Sequence, residues 1–449
     1  MTTTPSGPEG PAADAGPPRL QRTLRTADGL AVVVGIMIGS GIFRTPGLVA
    51  AQLGRAELTF VVWVMGGALA LLGALVFAEL STRHPDAGGK YVYAREAFGP
   101  RAGFVVGWVE ALGVYCTAIA ALAVVCGEYL SRLLGWPDTS KHLLGALFVV
   151  LCVGLNLAGV AVGRWAQNLA TSAKVLALAA VVAAAALAGE GAGWHAPAGA
   201  EAPVGALGAV AVAFQAVIWT YYGYPDAAKI AEEMVDPSRT LPRVYLIAIG
   251  LVTGLYLLLN AAFLYVLPFD QIAGSTLVAG DVMHALFGAR AGALMAGLAL
   301  LVVVASVNGN VFVTPRVVFG LARDGLAPRV LARVGAGGTP WTAMILVGVV
   351  AAALAATGTF ERLLSLAIVL VLLTDGFMVV VLFRLRARSG PAPFRVPAYP
   401  FVPAAFLAVY VALFAATARE QPALAGLTMS ALAVTYGIAV VVDRRARSA

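Results

Sequence analysis

Long apolar stretches dominate this 449-residue sequence. A window of about 20 apolar residues can cross a bilayer as a helix. Twelve such windows are predicted, at residues 31–49, 58–77, 102–130, 143–162, 169–187, 204–231, 244–267, 293–321, 341–357, 363–383, 401–416 and 424–442. Charged residues make up 12% of the chain, against about 25% in ordinary globular proteins. The sequence therefore predicts an all-α, polytopic membrane protein with 12 transmembrane helices, numbered below as spans 1 to 12.

The first span contains a cluster of glycines. Gly35, Gly39 and Gly41 lie in the segment GIMIGSGIF, residues 35–43, and each costs about 1 kcal/mol relative to alanine in a continuous helix. In hydrocarbon, non-helical backbone survives only where it is buried in protein or lines a cavity. The glycines therefore predict a break in span 1 beside a cavity, although close helix packing would also use small residues.

The sixth span carries a second irregular segment, WTYYGYP, at residues 219–225. Apolar residues precede it over roughly two-thirds of a span, which places its aromatics near mid-membrane, not in an interfacial belt. Two interrupted spans at corresponding places in two halves of a chain indicate the binding site of a secondary transporter.

The two predicted breaks are five spans apart, and an odd number of spans inverts the direction of crossing. We therefore expect inverted repeats at residues 28–190 (spans 1 to 5) and 200–390 (spans 6 to 10). Spans 11 and 12, at residues 397–443, fall outside this symmetry. The segment 1–27, rich in Pro, Gly, Ala and Thr, is predicted to be a disordered cytoplasmic tail, and residues 444–449 a second cytoplasmic tail.

A broken helix exposes polar backbone groups on both sides of the break. The end that begins a helix presents free N–H groups and the positive end of the dipole, and the end that stops a helix presents free carbonyls. A carboxylate suits the first and an ammonium suits the second. Two antiparallel broken helices therefore form a site for a zwitterion.

Basic residues are unevenly divided between the two sides of the membrane. With a cytoplasmic N-terminus, the opposite side receives only Arg55, Arg132, Lys141, Arg290, Arg362 and Arg419 of the loop and tail residues. The positive-inside rule then places both termini in the cytoplasm, as expected for a multi-pass protein of the cell membrane. The net charge of +7 suits contact with anionic lipid and calls for no nucleic-acid partner.

Several other classes of protein lack support in the sequence. All three cysteines, Cys116, Cys126 and Cys152, lie in predicted spans, so no partner subunit linked by a disulfide is expected. Four histidines without ligand spacing argue against a metal site. Without a Walker-type loop, ATP-driven transport has no support. We expect no cofactor and no enzymatic activity.

Several motifs together resemble one transporter family. They are GSGIF at residues 39–43 with Pro46 and Gly47; FAELS at 77–81 with the loop through EAFG at 96–99; AEE at 231–233 with DPSR at 236–239 and Pro242; and Pro315 and Arg316 with LARDGLAP at 321–328. In this order they resemble the amino acid-polyamine-organocation (APC) superfamily. The resemblance covers about residues 28–345 and is closest to bacterial neutral amino acid permeases, near the L-type amino acid transporter branch.

The resemblance implies a LeuT-type fold that works by alternating access. Ten core helices would form a 5+5 inverted repeat with discontinuous helices 1 and 6, and two helices would be extra. It also implies that Ser40 and Gly41 hold the substrate carboxylate, in a backbone opened by Gly39 and Gly223. The ammonium would rest on the carbonyls of Met37, Trp219 and Tyr222, and the Trp219 side chain would gate the site.

Lys174 is the ionisable residue with the largest expected effect on how transport is coupled to an ion. In relatives, a lysine in span 5 stands where sodium-driven transporters bind a cation, which implies sodium-independent transport by proton coupling or exchange. The alternative is a lysine that reaches for the lipid headgroups. Asn308 and Asn310 also lie within apolar spans, and Arg316 and Asp375 suit helix-fixing ion pairs as well as a transport role.

Neutral amino acids are the expected substrates, because neither break contains a residue that would neutralise a charged side chain. A carrier of amines or polyamines would need a carboxylate near the site, for which Glu110 is the candidate. The pair Glu232 and Glu233 either fastens an inner gate or offsets nearby arginines. A membrane subunit of a proton-pumping complex would need a series of lysines and glutamates at mid-membrane, which only Lys174 and Glu110 approach.

Overall fold

A computed structural model describes residues 20–191 and 207–448 of the chain. Up to residue 191 the helices are Thr26–Met37 and Gly41–Leu53 (span 1), Ala56–Arg83 (span 2), Lys90–Phe98, Pro100–Trp108 with the π-helix Val109–Tyr115 and Cys116–Leu134 (span 3), Ser140–Leu157 (span 4) and Val160–Ala188 (span 5). In these two ranges β structure is limited to one isolated bridge, between Leu24 and Met234. The predicted all-α class is confirmed.

The second described range, residues 207–448, is also helical. Its helices are Leu207–Tyr221 with the 3-10 helix Tyr224–Glu233 (span 6), Pro237–Val266 (span 7), Phe269–Ala273, Val278–Phe287, Ala289–Val313 with Pro315–Arg323 (span 8), the 3-10 helix Arg329–Ala332, Trp341–Thr357 (span 9), Phe360–Arg388 (span 10), Phe401–Glu420 (span 11) and Pro422–Ser448 (span 12).

The described residues contain nine helices that are long and apolar enough to cross a membrane, or ten if the bent pair in span 1 counts as one span. The chain is therefore a multi-pass membrane protein. The helix at predicted span 9 has 17 residues, somewhat short of the roughly 20 that a bilayer requires, and the helix of span 6 is described from Leu207 onward. The count of twelve and the inverted repeat stay predictions.

Span 1 is interrupted at residues 38–40, within the predicted glycine cluster. Its helix ends at Met37 and resumes at Gly41, with a bend of 40° between the two parts. Span 6 is interrupted at Gly223, whose φ of 128° is rarely adopted by residues with a side chain. A Cβ at Gly223 would also lie 3.0 Å from the backbone nitrogen of Met37. The two interruptions are therefore in direct contact.

Several predicted boundaries differ in the structure, among them the start of span 5 and the limits of the two predicted tails. Span 5 begins at Val160 rather than at residue 169, because Gly159 turns the chain with a φ of 130° immediately before it. Residues 1–19 of the predicted tail lie outside the described residues. The end of that tail packs on the protein, since Leu20 and Leu24 are buried and the Leu24 N–H donates to the Glu233 carbonyl at 2.9 Å. The helix of span 12 continues to Ser448, through most of the predicted second tail.

Gly41 and Gly250 provide a matched pair of alanine substitutions. A Cβ at Gly41 would lie 2.6 Å from Thr220 Oγ1 across the span 1–span 6 contact, whereas a Cβ at Gly250 meets nothing within 4 Å. We expect Gly41→Ala to destabilise the protein by about 1–3 kcal/mol through overpacking. Gly250→Ala should be neutral or stabilising by up to about 1 kcal/mol. Thermal unfolding of both variants in detergent measures this, and equal unfolding temperatures would contradict the close contact.

Candidate substrate site between the two broken helices

A cavity lies between the two interruptions. Span 1 lines it with Ile36, Met37, Gly39, Ser40 and Gly41, span 3 with Tyr115, Ala118 and Leu122, span 6 with Trp219, Thr220, Tyr222 and Asp226, and span 8 with Asn310. Most of the site residues expected from the sequence are thus brought together. Gly223 supports the cavity through its backbone rather than lining it, and Lys174 lies behind the span 1 break.

The start of the second half of span 1 presents unpaired donors. Within the described part of the chain, no acceptor receives a hydrogen bond from the N–H groups of Ser40, Gly41 or Ile42. The Ser40 hydroxyl is also buried without a partner. Free N–H groups at a helix N-terminus, where the dipole is positive, attract an anionic group such as a carboxylate.

The carbonyls expected to hold an ammonium are partly engaged already. The Met37 carbonyl accepts from the Gly39 N–H at 3.0 Å and from the Tyr256 hydroxyl at 2.8 Å. The Trp219 carbonyl accepts from the Tyr222 N–H at 3.0 Å. Each carbonyl oxygen has two lone pairs, so Trp219 retains one for a ligand, while Met37 would have to exchange a partner.

Tyr256 in span 7 was missed by the sequence analysis. Its buried hydroxyl contacts the Met37 carbonyl and, at 3.2 Å, the Thr220 carbonyl, and so it connects the two interruptions. The available signal was a tyrosine in the middle of an apolar span, because a buried tyrosine hydroxyl usually requires a partner. Nothing in the local sequence indicates which partner that is.

The Lys174 side chain is buried and directed at the span 1 break. Its ammonium donates to the carbonyls of Gly35 at 2.7 Å and Ile38 at 2.9 Å, and to the Ser306 hydroxyl at 3.0 Å. Its hydrogen-bond partners among the described residues are thus neutral oxygen atoms. The alternative of a lysine that extends to the headgroups does not fit this geometry, in which only 2% of the residue is exposed.

A cluster of ionised groups lies beside the cavity. Lys90 Nζ is 2.9 Å from Glu110 Oε1 and also pairs with Asp375, and it donates to the Tyr222 hydroxyl at 3.0 Å. Thr374 Oγ1 donates to Glu110 Oε1 at 2.6 Å. Lys90 lies between predicted spans 2 and 3, in a loop that the positive-inside rule assigns to the cytoplasm, but its side chain is buried and contacts span 6 through Tyr222.

A second buried pair lies within span 6 itself. Lys229 Nζ is 2.6 Å from Asp226 Oδ1 and lies over the ring of Tyr115. Lys229 lies near the end of predicted span 6, and only 4% of it is exposed. The Asp226 carboxylate lines the cavity. No acidic residue was expected there from the sequence.

Ion pairs join spans 6 and 8 on the predicted cytoplasmic side. Glu233 forms a two-pronged pair with Arg316, and Glu232 pairs with Arg323 at 2.6 Å. Glu232 also accepts from the Ala87 N–H at 2.8 Å. The sequence suggested ion pairs for Arg316 and Asp375. Arg316 pairs with Glu233, and Asp375 pairs with Lys90.

Comparisons with known proteins agree with this architecture. The profile of the amino acid permease family matches residues 24–441. The serine/threonine exchanger SteT of Bacillus subtilis is 28% identical over 422 residues, which are 91% of this chain and 95% of that protein. The human large neutral amino acids transporter small subunit 2 is 32% identical over 326 residues, 70% of this chain and 60% of that protein. The human b(0,+)-type amino acid transporter 1 is 27% identical over 406 residues.

The family match includes both interruptions and nearly all of the described helices. The relatives are transporters rather than enzymes. The chain belongs to the amino acid permease family, within the APC superfamily.

Proposed function

We propose that the protein is a secondary active transporter that carries neutral amino acids across the cell membrane by alternating access. The observation that carries this proposal is the set of free N–H groups at residues 40–42, of which Ser40 and Gly41 line the cavity together with Trp219 and Tyr222 of span 6. This arrangement suits the carboxylate and the ammonium of one zwitterion. The relatives are named as amino acid transporters and as an exchanger, which supports the same class of cargo.

Each site residue then has a role in binding or gating. Ser40 and Gly41 bind the carboxylate, and the carbonyls of Met37, Trp219 and Tyr222 bind the ammonium. The Trp219 ring, stacked 6.4 Å from that of Tyr222, covers the cavity and gates it. The LeuT-type 5+5 repeat with twelve spans and cytoplasmic termini is part of this proposal.

The electrostatics favour a neutral side chain over a cationic one. Asp226 is already paired with Lys229, and Glu110 is paired with Lys90 and does not line the cavity. An amine or polyamine would have to compete with a lysine for either carboxylate. A carrier of amines is therefore disfavoured.

Lys174 is the proposed coupling residue. Three oxygen atoms surround its ammonium as they would surround a bound cation: the Ile38 carbonyl in the span 1 break, the Gly35 carbonyl in the helix turn before it, and the Ser306 hydroxyl. If the ammonium lost its charge, its hydrogen bonds to the span 1 backbone that holds the substrate would change. Such a link suits proton-coupled transport or exchange. All three cysteines are free and buried, so we propose that the transporter works without a disulfide-linked partner subunit.

Ser40→Ala tests carboxylate binding. The hydroxyl has no partner to lose in the fold, so the protein should remain as stable as the wild type. A hydrogen bond to a charged group contributes about 1.5–3 kcal/mol, so substrate affinity should fall about tenfold or more. Binding to the purified protein measures this. The control is Ser131→Ala, whose hydroxyl bonds to the Gly127 carbonyl away from the cavity; an equal loss in both variants would contradict the assignment.

Uptake into liposomes tests both the cargo and the cation. Purified protein should accumulate amino acids equally in sodium and in choline buffers at the same pH, because Lys174 occupies the place of the cation. Stimulation by sodium would reject that role for Lys174. Absence of uptake of any amino acid, with and without internal amino acid, would reject the proposed function.

Lys174→Met tests coupling directly. The substitution keeps much of the volume of the side chain but removes the ammonium from Gly35, Ile38 and Ser306. Uptake should fall at least about tenfold, or should no longer respond to an inward proton gradient. The control is Lys141→Met, which removes only an exposed pair with Asp138. If Lys174→Met matches the wild type in both rate and response to the gradient, Lys174 has no part in coupling.

A further inference from the structure

The cavity has two ends with different chemistry. The backbone groups of the two interruptions can take only the carboxylate and the ammonium, which all amino acids share. Besides Ile36 of span 1 and Thr220 of span 6, the lining residues that remain for the substrate side chain are Tyr115, Ala118, Leu122, Asp226 and Asn310. These residues come from spans 3, 6 and 8, and they form what we call the side-chain end.

Two polar groups at the side-chain end lack ordinary partners. Asp226 is 0% exposed and Tyr115 is 1% exposed. Within the described ranges, Asp226 Oδ2 accepts no hydrogen bond. The Tyr115 hydroxyl lies near the Tyr222 hydroxyl, but the two do not form a hydrogen bond of normal geometry. Buried polar groups in native proteins are rarely left unpaired, and because Asp226 and Tyr115 line the cavity, both groups are placed to pair with a ligand.

The charge of Asp226 is already balanced. The Lys229 ammonium is 2.6 Å from Oδ1 and covers the Tyr115 ring, so these three residues form one packed unit. Asn310 already donates to the Ser306 carbonyl at 2.9 Å, and the buried groups that lack a hydrogen bond at this end, among the described residues, are a carboxylate oxygen and a phenol. A ligand group that donates to one and accepts from the other would satisfy both without adding charge.

A hydroxyl is the smallest group with both capacities. It can donate to Asp226 Oδ2 while it accepts from the Tyr115 hydroxyl. The neighbouring Ala118 and Leu122 are apolar and suit a methyl group. An aliphatic side chain would leave both polar groups buried and unpaired, which is the situation in which binding sites discriminate most strongly.

We propose that Tyr115 and Asp226, with Lys229 as the counter-ion, make this site selective for amino acids whose short side chain carries a hydroxyl. Threonine and serine have that chemistry. The assignment rests on the proposed function, since it requires that the two interruptions bind an amino acid. It adds the substrate class and the residues that select it.

Threonine and valine provide the test, because they have nearly the same shape and differ in the hydroxyl. In liposomes containing the wild-type protein, transport efficiency for threonine should exceed that for valine by about 10- to 100-fold, as expected for a hydrogen bond to a charged group. Transport efficiency for serine should likewise exceed that for alanine. Lysine should compete poorly with radiolabelled threonine.

Tyr115→Phe should reduce the threonine-to-valine ratio at least about fivefold, through the loss of one of the two hydrogen bonds. The matched control is Tyr129→Phe. Tyr129 lies on the same span and is buried, and its hydroxyl is also unpartnered, but it does not line the cavity. The control should keep the ratio of the wild type. The double variant Asp226→Asn with Lys229→Gln removes both charges together and should also reduce the ratio.

Thermal stabilisation of the purified proteins gives a second measurement that does not depend on transport. Threonine should raise the unfolding temperature of the wild type and of Tyr129→Phe more than valine does, and Tyr115→Phe should lose this difference. Equal efficiency for threonine and valine in the wild type, or preference for lysine, would overturn the substrate class while leaving amino acid transport intact. Failure to take up any amino acid would reject the proposed function as well.

Discussion

The contact between the two broken helices is the constraint on which the rest of the structure depends. Gly223 packs on the Met37 backbone, Gly41 packs on Thr220, and the Tyr256 hydroxyl lies between carbonyls of both spans. Backbone groups that have left the helix pattern must find partners or face a polar cavity when water is excluded. Bringing the two interruptions together satisfies some of these groups and leaves others directed into the cavity.

Buried charges follow the same principle of local compensation. Lys90 meets two carboxylates, Lys229 meets Asp226, and Arg316 meets Glu233, because an unpaired buried charge is far more costly than a paired one. Lys174 differs, since the ammonium is held by neutral oxygen atoms of the span 1 break and of Ser306. The substrate cavity and this lysine therefore share one piece of irregular backbone, which is why a change at one can affect the other.

The ion pairs connect segments that are distant in sequence. The Lys90 cluster joins the loop helix after span 2 to spans 3 and 10 and, through the Tyr222 hydroxyl, to span 6. Glu232 and Glu233 join span 6 to span 8, and their segment also holds residues 20–24. The ion pairs thus fix the segment Tyr224–Glu233 of span 6 from several directions, and Trp219 lies on the preceding helix, Leu207–Tyr221.

Apolar runs and glycine positions determined the class of this protein. About twenty apolar residues predict a membrane-spanning helix, and a cluster of glycines predicts a break in it, whatever residues pack against them. For that reason the all-α membrane class and the interruption of span 1 could be predicted from sequence. The partners of Lys90, Asp226, Lys229 and Tyr256 could not, because each lies on another span or on an irregular turn. Only the packing of the spans decided which charges are buried together, since the energy of a buried charge depends on neighbours that sequence distance does not reveal.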